Sequence, residues 1–119
     1  MHHLFFYGTL KHGCQNHAQM AGHRFLGPAR TVPGYRLYDL GDFPGMVAKP
    51  DDREGVEGEV WAVDDAGLKH LDAFEGAPDG PYRRERVPLL APFAHQVVEA
   101  YIYTHSIAGR REIGAVWRE

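Results

Sequence analysis

The side chain in this sequence best placed to do chemistry is a carboxylate at the end of a short amphipathic segment, Ala66 to Glu75. At about 100° per residue, with Leu68 at zero, Leu71 falls near 300°, Phe74 near 240° and Glu75 near 340°. Glu75 thus shares the arc of Leu68, Leu71 and Phe74, the face expected to pack on the core. Burying an ionised carboxylate there is costly unless it is paired. The last helical turn also disfavours negative charge. Both effects push a carboxyl pKa upward, toward the range useful for proton transfer near neutral pH. From helix geometry alone, a frayed helix end with Glu75 in water fits equally well. Asp72, near 40° on the same wheel, reads as a solvated or capping residue.

A second candidate is the stretch Tyr7-Gly8-Thr9-Leu10-Lys11-His12-Gly13. It follows a short apolar run and opens with a glycine. Successive backbone N–H groups after such a strand can form an anion nest or an oxyanion hole. The spacing G-x-x-x-x-G-K-[ST] of a phosphate loop is absent. An ordinary turn is the competing reading of these residues.

Other reactive types carry less. Glu59 is a second acid, but a strand carboxylate beside Trp61 reads first as an ion-pair partner, with Arg84 as its expected mate. His12, His17 and His23 lie five and six residues apart, unlike H-E-x-x-H, and no acidic ligand sits beside them, so no metal site is expected. Cys14 is the only cysteine. It excludes an internal disulfide and leaves a nucleophilic thiol as a third, minor candidate. Phe43-Pro44-Gly45 reads either as a pocket rim or as an ordinary loop.

The elements that must position these residues are short. With 14 glycines and 8 prolines in 119 residues, the chain is rich in turns, and strands dominate. Strands are expected at Leu4–Tyr7, around Tyr35–Tyr38, at Met46–Ala48, at Val56–Val63, and at Tyr82–Leu90 and Gln96–Thr104. Gly58 inside its strand signals a bulge or a close backbone approach. Gly13 to Gly22 brackets one short helix. The clear helix is capped by Asp64 or Asp65 and ended by Gly76 and Pro78. The tail from Ile107 is ambiguous. The expected architecture is one α+β domain over residues 1–119, built on a small, mostly antiparallel, barrel-like mixed sheet with few helices.

A net charge of −3, with basic residues no more clustered than Arg83-Arg84 and Arg110-Arg111, argues against nucleic acid as the main partner. The opening Met1-His2-His3-Leu4-Phe5-Phe6 has no basic segment, and its apolar run is too short for a signal or a membrane span. A cytoplasmic protein is expected.

Together the two main candidates resemble a known family. Tyr7-Gly8-Thr9-Leu10-Lys11-His12-Gly13, with Asn16-His17 after it, resembles the opening of the γ-glutamylcyclotransferase-like proteins. Val56 to Val63 (VEGEVWAV), Leu71 to Gly76 (LDAFEG) and Tyr82-Arg83-Arg84 are similar to their second block, and Tyr101-Ile102-Tyr103 to a later strand. The likeness runs over most of residues 4–104 and is strongest to the γ-glutamylamine cyclotransferase branch. It implies an enzyme without cofactor or metal, acting on a small γ-glutamyl amide. The substrate's own α-amine would attack its γ-carbonyl, giving 5-oxoproline and a free amine. Glu75 would be the general acid and base. Gly8, Thr9 and Leu10 would hold the substrate through backbone N–H groups, with Tyr7, Tyr82 and Tyr103 beside it. Tyr82 and Tyr103 fit packed strand positions equally well. The rival from another class is a non-catalytic module of the same fold that binds a γ-glutamyl or related carboxylate.

Overall fold

The computed structural model describes all of residues 1–119. Its eight strands are β1 (His2–Phe6), β2 (Arg24–Arg30), β3 (Tyr35–Asp39), β4 (Pro44–Ala48), β5 (Glu57–Val63), β6 (Tyr82–Arg86), β7 (Glu99–Tyr103) and β8 (Glu112–Gly114). One α-helix, α1 (Asp65–Glu75), lies between β5 and β6. The expected helix between Gly13 and Gly22 is a single 3-10 turn, His17–Met20. The ambiguous tail supplies β8.

All strands belong to one sheet in the order β2-β5-β1-β7-β4-β3-β8, with β6 on β7. Most pairs are antiparallel, but β7 runs parallel to both β1 and β4. It meets β1 at Leu4↔Glu99 and β4 at Met46↔Ile102, near its opposite ends. One edge of β7 is therefore shared by two strands that diverge, and the sheet forks between the end of β1 and the start of β4. The barrel-like expectation is met without closure. No ladder joins β2 to β8, and only the Glu57 N–H, donating to the Ala115 carbonyl at 2.8 Å, links β5 to the chain after β8.

Side chains on the two faces of this sheet form two cores. Phe5, Val60 and Ala100 point into the inner one, with Leu37, Met46, Val56 and Val98. Leu4, Phe6, Trp61, Val63 and Tyr101 point outward to Leu68 and Leu71 of α1. This explains why β1 is an unbroken apolar run: it is covered on both faces, as central strands of mixed sheets are. Gly58 resolves as a close approach, since a Cβ there would lie 2.3 Å from the Phe6 carbonyl oxygen. The bulge sits instead in β2, between Phe25 and Gly27. Pro28 is tolerated because β2 is an edge strand.

α1 starts where Asp64 accepts the Gly67 N–H at 2.7 Å, and it stops at Gly76 with φ 74°. A left-handed residue at that position favours glycine. The helix docks through Gly67, Leu68 and Leu71. Phe74, expected on the core face, is instead 41% exposed. The contact is centred between Leu68 and Leu71, near 330° on the wheel, which leaves Phe74 roughly a quarter-turn away and Glu75 at the centre.

Candidate active site

Glu75 ends α1 over the fork in the sheet. It lines a narrow recess of about 30 Å³ with Tyr7, Gly8, Thr9, Leu10, Pro44, Tyr82 and Tyr101. An adjoining, wider cavity of about 260 Å³ shares Glu75 and Tyr82 with it. Recess and cavity together make a cleft that narrows inward.

The loop after β1 forms the inner wall. Its carbonyls are all engaged: Gly8 accepts from the Lys11 N–H, Thr9 from the Asn16 N–H, and Leu10 from His17 Nδ1. The Thr9 hydroxyl accepts from Asn16 Nδ2 at 3.0 Å. The N–H groups of Gly8, Thr9 and Leu10, by contrast, donate to no acceptor in the protein. Gly8, Thr9 and Leu10 line the recess, so these donors are available to a ligand bound in it. Three consecutive free N–H groups beside a carboxylate are a site for an anionic or developing anionic oxygen. Gly8 is needed because a Cβ there would meet Pro44 Cγ at 2.9 Å and crowd the recess.

Three tyrosines surround Glu75, and each gives its hydroxyl proton elsewhere. Tyr7 donates to the Tyr101 carbonyl at 2.6 Å and accepts the Met46 N–H at 3.2 Å, bridging β7 and β4 across the fork. Tyr82 donates to the Pro44 carbonyl at 2.8 Å. Tyr101 donates to Asp72 Oδ1 at 2.7 Å. Glu75 is left with no hydrogen-bond donor and no cation. Burial alone pushes its carboxyl up to about 7. Burial, with Glu75 close by, also raises Tyr7 and Tyr82 above the ordinary phenol value, so both stay neutral.

The cleft thus gathers Glu75, Tyr7, Gly8, Thr9, Leu10 and Tyr82. Tyr103 lines neither part; its ring packs edge-on against Tyr82 at 5.6 Å. Phe43 and Pro44 do rim the cleft. Arg84 pairs not with Glu59 but with Asp72 at 3.0 Å and Glu99 at 2.7 Å. Arg84 sits on β6 at one side of β7, while Glu59 sits on β5, beyond β1 on the other side. Asp72 is accordingly neither free nor a cap: it ties α1 to β6 and β7. Asn16, Phe74 and Pro81 also line the cleft, beyond the contacts that the sequence suggests. Nothing local in their stretches of sequence marks them.

The remaining candidates lie elsewhere. Glu59 accepts from the His12 N–H, His12 Nδ1 and Trp61 Nε1. It braces the first loop from outside. His12 and His17 stack near Trp61. Cys14 lies in a separate shallow depression beside the C-terminal residues. Burial, then Glu119, raises its thiol, which opposes a reactive thiolate. No helix is long and apolar enough to cross a membrane.

Fold and cleft together define a class: a small α+β protein with a half-buried, donor-free carboxylate lining a cleft beside unclaimed backbone N–H groups. Residues 4–118 match the family described as gamma-glutamyl cyclotransferase, AIG2-like. The chain is 40% identical over 106 residues to a Vibrio cholerae protein provisionally named a gamma-glutamylcyclotransferase, covering 89% of this chain and 87% of that one. It is 35% identical over 120 residues to the gamma-glutamylaminecyclotransferase of Homo sapiens, covering 87% and 78%. Among solved structures, an AIG2-like protein from Mus musculus superposes with a TM-score of 0.74 at 31% identity, over 89% of this chain and 78% of that one. The chain belongs to the gamma-glutamyl cyclotransferase, AIG2-like family, and it is an enzyme of that family.

Proposed function

We propose that this enzyme releases 5-oxoproline and a free amine from a small γ-glutamyl amide, with Glu75 carrying the proton. The reading rests above all on one arrangement: a donor-free Glu75 with its carboxyl near 7, set beside the free N–H groups of Gly8, Thr9 and Leu10.

The substrate's α-amine has a pKa of about 8 in a peptide-like reference and must be neutral to attack. Glu75 takes the proton that the amine loses. The nitrogen lone pair then forms the ring bond to the γ-carbonyl carbon, and the carbonyl electrons move onto oxygen. Backbone N–H groups of the first loop stabilise that oxyanion or hold the glutamyl carboxylate; one such donor is commonly worth about 3–4 kcal/mol. On collapse, the bond to the departing nitrogen breaks and Glu75 returns the proton to it, while the ring nitrogen sheds its second proton to the re-ionised Glu75 or to water, leaving a neutral lactam and a free amine. A carboxyl near 7 suits both halves, because it gives and takes a proton with little bias at neutral pH. The reaction is intramolecular, so holding the substrate bent can contribute roughly 7–11 kcal/mol. Tyr7 and Tyr82 provide rigid walls for that bend, and Tyr103 supports Tyr82 from behind.

The test is to incubate the protein with γ-glutamyl alkylamides, γ-glutamyl-lysine and glutathione and to follow 5-oxoproline by mass spectrometry. Glu75→Gln is expected to lower turnover a hundredfold or more while leaving the fold intact. Equal activity of the variant and the parent sinks the assignment. Saturable binding of these ligands with no product at all selects the non-catalytic module instead.

A further inference from the structure

We infer that Glu59, outside the cleft, is a positioning residue of the reaction: by holding the main chain at His12 it sets the aim of the free N–H groups of Gly8, Thr9 and Leu10. This rests on the cyclotransferase reading above and adds a residue to it.

Glu59 lines neither part of the cleft, so any effect it has on the reaction passes through the loop. It faces Phe6 on the last rung between β1 and β5, just before the chain leaves the sheet to form that loop. The loop's main chain then bonds mostly to itself. The carbonyls of Gly8, Thr9, Leu10 and Lys11 accept from Lys11, Asn16, His17 and Cys14 in turn. From Gly8 to Gly13 a single main-chain group reaches a distant segment: the His12 N–H, which donates to both oxygens of Glu59 at 3.2 Å. The Leu10 side chain is also anchored, in the outer core, but apolar packing is non-directional. Lys11 reaches the Trp117 carbonyl through a long side chain. A hydrogen bond to the main chain itself constrains direction as well as distance. Glu59 is thus the polar tether between the sheet and the strip of backbone that carries the free donors.

The surroundings of Glu59 suit a carboxylate and nothing else of its size. Its side chain is 15% exposed, and its one ionisable partner is His12. A carboxylate so withdrawn, with no lysine or arginine on it, is costly unless other donors satisfy it. Here the His12 N–H is joined by His12 Nδ1 and Trp61 Nε1, both at 3.1 Å. Oε1 takes the indole and Oε2 the imidazole, with the His12 N–H between them. An amide has one acceptor oxygen and would turn an NH2 group toward the remaining donors. The two rings also stack on each other, at 5.1 Å. They hold the carboxylate against the loop from the side away from the cleft.

The experiment follows 5-oxoproline release from the alkylamides, γ-glutamyl-lysine and glutathione, and each variant is assayed on the substrate that the parent turns over fastest. Folding is checked by circular dichroism and melting temperature. Glu59→Ala is expected to lower kcat/KM roughly thirtyfold or more, since a small misplacement of binding groups can cost about a hundredfold. Glu59→Gln, which keeps one acceptor for the His12 N–H, is expected to recover about threefold or more of that loss. His12→Ala, which removes the ring and keeps the N–H, is expected to stay within about threefold of the parent. The acidic limb of the kcat/KM–pH profile should keep the parent's position in all three. Parent-level kcat/KM in folded Glu59→Ala, with a lowered melting temperature alone, overturns the inference and leaves the cyclotransferase reading in place. A loss in His12→Ala equal to that in Glu59→Ala overturns it too, by placing the effect in the ring. So does a displaced acidic limb, by placing the effect on Glu75. Should Glu59→Ala not fold, Glu59→Gln decides: a fall of about threefold or more upholds the inference, and the parent's rate overturns it. No product from the parent overturns the cyclotransferase reading. Calorimetric binding of the same amides to the parent and to Glu59→Gln then judges the tether: weaker binding by the variant upholds it, and equal binding, or none by the parent, overturns it.

Discussion

The hydroxyl of Tyr101 donates to Asp72 Oδ1 at 2.7 Å and is thereby withheld from Glu75, one turn further along the same helix. Asp72 also accepts from Arg84 Nε at 3.0 Å and Nη2 at 3.2 Å. A phenol near a carboxylate would ordinarily hydrogen-bond it and stabilise its ionised form. Here a second carboxylate takes that proton instead. Asp72→Ala should release the Tyr101 hydroxyl toward Glu75 and move the acidic limb of the kcat/KM–pH profile down by half a unit or more. Tyr101→Phe, which removes the donor altogether, should leave that limb in place. If both variants keep the parent's profile, the diversion of the Tyr101 proton does not govern Glu75.

On the proposed reading, Glu75 itself sets where that limb falls. With its carboxyl pushed up to about 7 by burial, the fraction able to accept a proton is halved near neutrality. It drops tenfold for each further unit of acid. kcat/KM should therefore fall with unit slope below about pH 7. A limb near 4.5, the ordinary value of an exposed glutamate, would mean that the carboxylate is solvated during turnover.

The same burial ties stability to pH. Glu75 binds its proton more tightly in the folded chain than in the unfolded one, so between about pH 4.5 and 7 the folded state holds more protons. Its favourable contribution is complete below the lower value and is lost as pH rises through the upper one. The lost stability amounts to at most about 3 kcal/mol. Glu75→Gln, neutral at every pH, should raise the melting temperature by several degrees at pH 8 and hardly at all at pH 4. A uniform shift at both values would point to packing instead of charge. Function in this cleft is held against stability, a trade common at active sites.

Tyr7 spans the fork through one oxygen, serving the Met46 N–H and the Tyr101 carbonyl. Tyr7→Phe keeps the ring but removes a hydrogen bond from each of two buried backbone groups. A buried hydrogen bond contributes about 0.5–1.5 kcal/mol net. Urea denaturation should therefore show a loss of about 1–3 kcal/mol. A loss below about 0.5 kcal/mol, within the ordinary range of surface substitutions, would mean that the bridge is dispensable.

What could be read from the chain divides along the range of the interactions. α1 was legible because its caps, its stop at Gly76 and the Leu68–Leu71 face are all local. The wheel put Glu75 within the expected core-facing arc, although a frayed end in water fitted it equally well and the wheel could not say what the helix would lie upon. Phe74 was misplaced because three apolar points define an arc but not its midpoint. The Arg84 partner was missed for a different reason. Whether Glu59 or Glu99 is near depends on strand order, and strand order is set by pairings between residues far apart in sequence. The parallel contacts of β7 with β1 and β4 leave no periodic trace, so the fork was invisible too. Motif resemblance, by contrast, brought the first loop and Glu75 together without any knowledge of that topology.

The fork has a further consequence for how such a protein can diversify. Its inner half is written in main chain: three N–H groups positioned by where β1 ends and β4 begins. Its outer half is written in side chains from unconnected segments, Phe43, Phe74 and Pro81. Single substitutions on the outside can therefore reshape the mouth of the cleft while the main-chain donors of its interior are inherited unchanged.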